Sequence, residues 1–158
     1  MENNEMMVTP VQNAPAMAGN RFSDEGFSLV ADLTSAQLAY SSLDPQTDEE
    51  KAALYNATNN PEKRLADCIN MTINMKNLYI EVVQCTNEET GEVTACPRVV
   101  ILDEKNVGYQ CVSVGVYSAI KKIVQIYGPV DMWTKPIKIM VKQITKGKKQ
   151  MLTLNVVA

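Results

Sequence analysis

The chain of 158 residues contains no histidine, and it lacks the motifs that usually mark an enzyme. It has no G-x-S-x-G nucleophile elbow, no P-loop and no G-x-x-G phosphate cradle before a predicted helix. A cysteine nucleophile would lack the histidine that commonly serves as its base. Acids such as Asp103, Glu104 and Asp131 are scattered over predicted turns, where solvated surface charge is the ordinary interpretation. We therefore expect a protein that is not an enzyme and that needs no cofactor.

Cysteine spacing gives no clear metal site. The four cysteines, Cys68, Cys85, Cys96 and Cys111, lie 17, 11 and 15 positions apart, without a C-x-x-C pair. A zinc site would need the fold to gather all four thiolates, so buried thiols in a reducing cytoplasm are the simpler interpretation. A disulfide between Cys85 and Cys96 is conceivable across a hairpin, but the same redox conditions argue against it.

Long apolar runs are also missing, since no stretch approaches the roughly 20 residues of a membrane helix. The N-terminus is acidic and polar, unlike a signal peptide, so we expect a soluble protein. Residues 1–50 hold nine acids and one base (−8), and residues 51–158 hold nine acids and fourteen bases (+5), which sum to the net charge of −3. A basic body behind an acidic arm is able to bind a polyanion.

Residues 1–46 are predicted to form an acidic, largely disordered and flexible N-terminal arm. Pro10, Pro15 and Pro45 interrupt it, and no hydrophobic periodicity is sustained. Residues 27–43 have enough apolar side chains for a short helix or a docking strand. The arm is interpreted either as a solubilising tail or as a segment that binds partners or occupies a basic groove.

Residues 47–158 are predicted to form one domain. Thr47 and Glu50 make a capping-box pattern that begins a short helix through about residue 57. From residue 69 apolar residues occupy odd positions, and after Asn77 they occupy even positions, which predicts a long first strand with a β-bulge. The further predicted elements are strands at 93–102, 107–114, 136–144 and 150–157, and an amphipathic helix at 115–127.

The resulting order is strand, strand, strand, helix, strand, strand. This is the layout of the OB-fold, a small barrel that often binds single-stranded nucleic acid. We therefore predict an all-β fold with one or two helices, in which a five-stranded OB-fold barrel follows the N-terminal arm.

The last predicted hairpin is rich in lysine and contains no acid between residues 135 and 149. Its six lysines are Lys135, Lys138, Lys142, Lys146, Lys148 and Lys149. Lys138 and Lys142 are four apart on a strand and should share one face, so the hairpin forms a basic ridge of about 25 to 30 Å. Such a ridge can follow a phosphate backbone, although lysines also protect sheet edges from aggregation.

Flat side chains on which bases could stack are few, because aromatic residues make up only 6% of the chain. Tyr79, Tyr109 and Trp133 are the candidates, each of which is also a plausible core residue. Tyr109 and Arg98 fall on predicted strands three and two, which form the usual OB-fold binding face. Electrostatic attraction is therefore expected to dominate over stacking.

Several stretches carry a family resemblance: YNATNNP at 55–61, LADCI at 65–69, YQCVSVGVYSAIKKI at 109–123, IKIMVKQ at 137–143 and MLTL at 151–154. Together they resemble phage single-stranded DNA-binding proteins of Gram-positive hosts, in particular those of protein-primed phages. The likeness covers about residues 50–157. It implies an OB-fold and sequence-independent coating of single strands during phage DNA replication, in the cytoplasm of the bacterial host.

The sequence therefore predicts a single-stranded DNA-binding protein of phage type. Phosphates would be neutralised by Arg98, Lys138, Lys142, Lys146, Lys148 and Lys149, and bases would stack on Tyr79, Tyr109 or Trp133. Replication proteins are expected to bind through the N-terminal arm, and the chain has scope to self-associate. A phage structural or assembly adaptor without affinity for nucleic acid is the alternative, and an RNA-binding OB domain is a third possibility.

Overall fold

The computed structural model describes residues 8–10 and 39–158, and this part of the chain is mostly β. Its strands are β1 (Val8–Pro10), β2 (Ala39–Ser41), β3 (Lys63–Arg64), β4 (Thr72–Thr86), β5 (Val93–Asp103), β6 (Gly108–Val112), β7 (Ile137–Lys146) and β8 (Lys149–Val156). Its helices are α1 (Asp48–Asn59) and α2 (Val114–Tyr127), joined by 3-10 turns at Leu65–Cys68 and Val130–Met132. The predicted order of three strands, a helix and two strands is confirmed by β4, β5, β6, α2, β7 and β8.

The long strand β4 is the centre of the sheet. It pairs with β5 from Met75 to Thr86, while its first residues, Thr72 to Met75, pair with β7. Beyond that point β2 and then β1 occupy the edge that β7 has left. The register against β5 shifts between Met75 and Asn77, which confirms the predicted bulge. An extra residue bends a strand, so one strand serves two sides of a curled sheet.

The sheet follows the order β3-β6-β5-β4-β7-β8 and curls into a half-barrel. Within the described residues no pairing joins β6 to β8, so the sheet is open where a barrel would close. Helix α2 follows β6 directly, and its first turn approaches β8 so closely that a Cβ on Gly115 would collide with the carbonyl oxygen of Leu152. The predicted all-β, OB-like fold class is confirmed.

The core lies inside the curl and is closed by α2. The bulge brings the apolar residues on both sides of it to one face of β4. Met75, Leu78 and Ile80 are among them and are buried together. Val116, Ile120, Ile123 and Val124 of α2 pack against them, and Ser113 caps the helix by accepting the Val116 N–H at 3.1 Å. The amphipathic helix predicted at 115–127 is confirmed, although its last residue, Tyr127, is 49% exposed.

Part of the predicted N-terminal arm belongs to the sheet. Ala39–Ser41 pairs with residues 79–81 of β4, and Tyr40 is only 3% exposed in the core. Of the short helix or docking strand expected within residues 27–43, a strand occurs at Ala39–Ser41, and residues 27–38 lie outside the described residues. Most of the arm that was predicted to be disordered lies outside the described residues.

Helix α1 covers the outer face of the sheet. Its predicted capping box is confirmed, because Thr47 accepts the Glu50 N–H at 3.1 Å and the Glu50 carboxylate accepts bonds from the N–H groups of Gln46 and Thr47. These bonds, that of Gln46 first, hold the pKa of Glu50 below its ordinary value. The helix end lies close to β6, since a Cβ on Gly108 would come within 2.7 Å of the Ala57 carbonyl oxygen. Val100 and Leu102, on the same outer face, are fully buried.

One local prediction was wrong. The first strand was expected from residue 69, but Asn70 has a φ of 69°, which turns the chain, and the strand begins at Thr72. Met71 is consequently 53% exposed instead of facing the core. Cys85 lies opposite Thr94 and Cys96 opposite Val83, so the two cysteines are diagonal neighbours across the hairpin.

All four cysteines are free thiols. Cys68 and Cys85 are buried, and Cys96 and Cys111 are half-buried, which agrees broadly with the expectation of buried thiols. Burial raises the pKa of Cys85 and of Cys111 to about 12. Both therefore remain protonated and poorly nucleophilic at neutral pH.

Gly108→Ala should separate α1 from the sheet. The added methyl group would press on the Ala57 carbonyl, and overpacking of this kind costs about 1–3 kcal/mol of stability. Val112→Ala, on the same face of β6 but 40% exposed, is the matched control and should change stability less. Urea denaturation measures both, and a Gly108→Ala protein as stable as the parent would contradict the close contact.

Candidate nucleic-acid interface

The lysine-rich hairpin is formed by β7 and β8. The two strands pair from Ile139–Val156 to Lys146–Lys149, and a two-residue turn of Gly147, with φ of 63°, and Lys148 joins them. Residues 143–150 are all exposed, so both faces of the tip are in solvent. Because β4 ends its pairing at Met140, the last six residues of β7 extend about 20 Å beyond it.

One face of β7 carries the lysines. Ile137, Ile139 and Val141 are buried, whereas Lys138 and Lys142 point the other way, which confirms that these two lysines share a face. Lys146 continues the row in the same register, giving a length of about 26 Å from Lys138 at roughly 3.3 Å per residue. Lys142 donates to the Asn70 side-chain oxygen at 2.9 Å.

The hairpin lysines have no acidic partner in the described part of the chain, where the ion pairs are Arg64–Asp67 and Arg98–Glu81. An uncompensated row of like charge raises the local concentration of a polyanion. Edge protection alone would not require such a row on an extended tip, so the arrangement favours phosphate binding over the purely protective interpretation.

The opposite end of the molecule is acidic. The turn between β4 and β5, held by Asn87, carries Glu88, Glu89 and Glu92, all of which are exposed. Because β4 and β7 are antiparallel, their two hairpins leave the sheet in opposite directions. A polyanion is therefore attracted to the β7–β8 end and repelled from the β4–β5 end.

Arg98 is engaged by the protein itself. Its guanidinium donates to the Glu81 carboxylate at 2.8 Å, to the Thr58 carbonyl of α1 at 2.6 Å and to the Gln110 side chain at 3.1 Å. Its side chain is only 13% exposed. Three bonds to protein oxygens leave little of this cation for a phosphate, and they fix the end of α1 to β4, β5 and β6.

Tyr79 lies on the same outer face as Arg98. A cleft of about 330 Å³ is lined by Tyr79, Arg98, Glu81 and, from α1, Tyr55 and Asn59. Tyr79 donates its hydroxyl to Glu81 at 3.2 Å. Burial first, and then the Glu81 charge and hydrogen bond, raise the pKa of Tyr79 to about 12.

Tyr109 was expected beside Arg98, and the structure corrects that grouping. Tyr109 pairs with Ile101 on the inner face and packs against the core, whereas Arg98 pairs with Val112 and faces outward. Its hydroxyl donates to Asp103 at 3.1 Å. Burial, followed by this bond, raises the pKa of Tyr109 to about 12.

Trp133 follows the second 3-10 turn and is half-buried against the core. Its indole N–H donates to the Gly128 carbonyl at 2.8 Å, which fixes the orientation of the ring. It lines a cleft of about 530 Å³ together with Tyr127, Met132, Lys135 and Lys138. The structure thus joins Trp133 to the lysine row but separates it from Tyr79 and Tyr109.

Sequence reasoning named neither Tyr55 nor Tyr127 among the candidates for base stacking. Tyr55 is 63% exposed and Tyr127 49%, so both present their rings to solvent beside a cleft. The helical periodicity suggested that Tyr127 is buried. In the structure it is the last residue of α2, beside the loop that carries Trp133, and its ring is partly exposed there. An aromatic residue on the polar face of α1 was the available signal for Tyr55.

An OB-like half-barrel with a basic hairpin and aromatic clefts is typical of β proteins that bind nucleic acid. A family model described as phage single-stranded DNA-binding protein matches residues 33–157. The chain belongs to this family, which consists of DNA-binding proteins and not enzymes, and single-stranded DNA is the partner that the family implies. Neither a curated protein nor a solved structure matches the chain. Among the described helices, none combines the length and apolar character needed to cross a bilayer.

Replacing Arg98 should affect stability more than DNA binding. Arg98→Met leaves Glu81 and the Thr58 carbonyl without their donor, a loss that costs about 3 kcal/mol for a largely buried pair. Urea denaturation gives the change in stability, and oligo-dT binding by the folded variant gives the change in affinity, which should be the smaller effect. A large loss of affinity with unchanged stability would instead place Arg98 on the phosphate backbone.

Tyr79 and Tyr109 should ionise late in an alkaline titration. Their folded-state pKa of about 12 lies above the value of about 10 for an unfolded tyrosine. Their contribution to stability is therefore complete below pH 10 and falls as the pH rises toward 12. Phenolate absorbance follows the titration, and Tyr79→Phe and Tyr109→Phe should each remove one late step. Loss of neither late step would contradict these environments.

Proposed function

We propose that this protein coats single-stranded DNA, without regard to sequence, during phage DNA replication or recombination in the cytoplasm of the bacterial host. The observation that carries the proposal is the lysine row of the β7–β8 hairpin, which has no acidic partner among the described residues, in a chain of the single-stranded DNA-binding family. The protein supplies binding alone, and no reaction step is assigned to it.

The lysine row accounts for sequence-independent binding. Lys138, Lys142, Lys146, Lys148 and Lys149 neutralise phosphates, which every nucleotide carries, and each contact releases a condensed counterion. The row is long enough for several successive phosphates. Two residues of β7 span about 6 Å, which is comparable to the spacing of neighbouring phosphates in an extended single strand. Affinity from this source falls as salt rises.

Base stacking supplements the lysines on the outer face. We assign a stacking role to Tyr79, with Tyr55 on the other side of their cleft. Arg98 contributes indirectly: its bond to the Thr58 carbonyl holds the end of α1, and therefore Tyr55, in place. Tyr109 supports β6 from the inner face. Stacking of one base contributes about 1–3 kcal/mol, so a few such contacts suffice beside the electrostatic attraction.

Contacts with replication proteins are assigned to the N-terminal arm. Its acidic composition suits basic partner surfaces and does not suit DNA. Deletion of residues 1–38, which also removes β1 from the edge of β4, should therefore leave the intrinsic affinity for a short oligonucleotide in place.

The lysine tip is tested by its effect on salt dependence. Lys146, Lys148 and Lys149 replaced together by Ala should lower the affinity for labelled oligo-dT and reduce the log–log salt slope by about 2, since each phosphate contact contributes about 0.7. Fluorescence anisotropy at several salt concentrations gives both quantities. Oligo-dA and oligo-dC should lose affinity to the same extent, because phosphates carry no sequence information.

A variant of equal charge provides the control. Lys51, Lys105 and Lys122 are exposed on α1, on the β5–β6 turn and on α2, and their joint replacement by Ala should leave the slope unchanged. Equal effects of both triple variants would show that only net charge matters. No binding at low salt, with or without residues 1–38, would favour the adaptor alternative, and efficient competition by oligo-U would favour RNA.

A further inference from the structure

The cleft beside Trp133 has the properties of a ligand site. It is enclosed by the loop that follows α2 and by the adjoining ends of β4, β7 and β8, and its volume is about 530 Å³. Small-molecule sites commonly fall in this range of size and combine apolar walls with a few polar groups. Here Trp133, Tyr127 and Met132 supply the apolar walls, and Asn74, Lys135 and Lys138 supply the polar groups.

The aromatic part of the cleft is pre-organised and open. The bond from the Trp133 indole to the Gly128 carbonyl fixes the ring, so little conformational entropy is lost when a planar group packs on it. Tyr127 and Met132 are 49% and 69% exposed. Large apolar side chains that share an open concave surface indicate that a binding partner covers them.

Charge selects the kind of partner. Lys135 and Lys138 are exposed and form no ion pair within the described residues, and the lining contains no Asp or Glu; its one anionic group is the α-carboxylate of Ala158. One acid stands beside the cleft, because Asn74 donates to Glu104 at 3.3 Å. A planar ligand that carries negative charge at its edge therefore fits better than an apolar peptide or a cation.

The cleft is continuous with the lysine row. Lys138 belongs to both, since it lines the cleft and begins the outward face of β7 that leads through Lys142 to Lys146. A strand whose phosphates follow the row therefore arrives at Trp133 after about 26 Å.

From this geometry we propose that the Trp133 cleft is a nucleotide subsite. One base of the bound strand stacks on Trp133 between Tyr127 and Met132, and Lys135 and Lys138 hold the phosphates on either side of it. The subsite rests on the proposed function, because its ligand is one nucleotide of the single strand. It is separate from the Tyr79–Tyr55 cleft on the outer face.

Trp133 is the only tryptophan in the chain, so its fluorescence reports on this cleft alone. The emission of the full-length protein is followed during titration with oligo-dT, and the anisotropy of labelled oligo-dT is followed in parallel. Quenching should saturate with the same dissociation constant as the anisotropy. Photo-crosslinking to an oligonucleotide that contains 5-iododeoxyuridine should attach DNA to the segment 127–138. A fluorescence change caused by DNA bound elsewhere would not give this crosslink.

Variants test the subsite without dependence on Trp133 itself. Tyr127→Ala and Lys135→Ala, both at exposed positions, should each weaken oligo-dT binding. Loss of the Tyr127 stacking contact should raise the dissociation constant about tenfold, and loss of the Lys135 charge should also lower the salt slope. Ile126→Ala is the matched control, because Ile126 is 71% exposed next to Tyr127 but does not line the cleft, and it should bind as the parent does. Trp133→Phe should retain more affinity than Trp133→Ala.

The outcomes separate this subsite from the proposed function. Tight, salt-dependent anisotropy with unchanged Trp133 emission, no crosslink in segment 127–138 and parental affinity of both variants would overturn the subsite and leave the proposed function in place. No anisotropy change at low salt would overturn both.

Discussion

The bend in β4 is the constraint on which the rest of the structure depends. One extra residue between Met75 and Asn77 shifts the register against β5. Because side chains alternate along a strand, this shift lets apolar residues of odd number before the bulge and of even number after it enter the same core. It also frees the edge of β4 beyond Met75 for β2 and β1, while β7 leaves in its own direction. Without the bulge, half of β4 would present its apolar face to solvent.

The same geometry separates the charges. β7 runs antiparallel to the start of β4, so the β7–β8 hairpin leaves one end of the sheet and the β4–β5 turn leaves the other. Three lysines lie at the first tip and three glutamates in the second. A net charge of −3 therefore conceals a molecule with two unlike ends, and local potential, not the average, governs where a polyanion binds.

Helix α1 covers part of the face that OB-folds commonly use for binding. It lies over β5 and β6, where Val100 and Leu102 are fully buried and where Arg98 bonds to the Thr58 carbonyl at 2.6 Å. The outer face is thus partly occupied by the protein itself. What remains available is the margin at Tyr55 and Tyr79, the hairpin, and the cleft at Trp133, all of which lie around that covered centre.

The amino-acid sequence by itself determined the order of the elements, the bulge, the capping box at Thr47 and the position of the lysine row, because each depends on local periodicity or on neighbours within a few residues. It did not determine which face of the sheet Arg98 and Tyr109 would occupy. That depends on the register between β5 and β6, which pairs Tyr109 with Ile101 on the inner face and Arg98 with Val112 on the outer face. Nor did it place Tyr127 beside Trp133, or Tyr55 across from Tyr79. Those contacts join residues that are distant in the chain or at the end of a helix, and only the packing of α1 and α2 on the curled sheet brings them together.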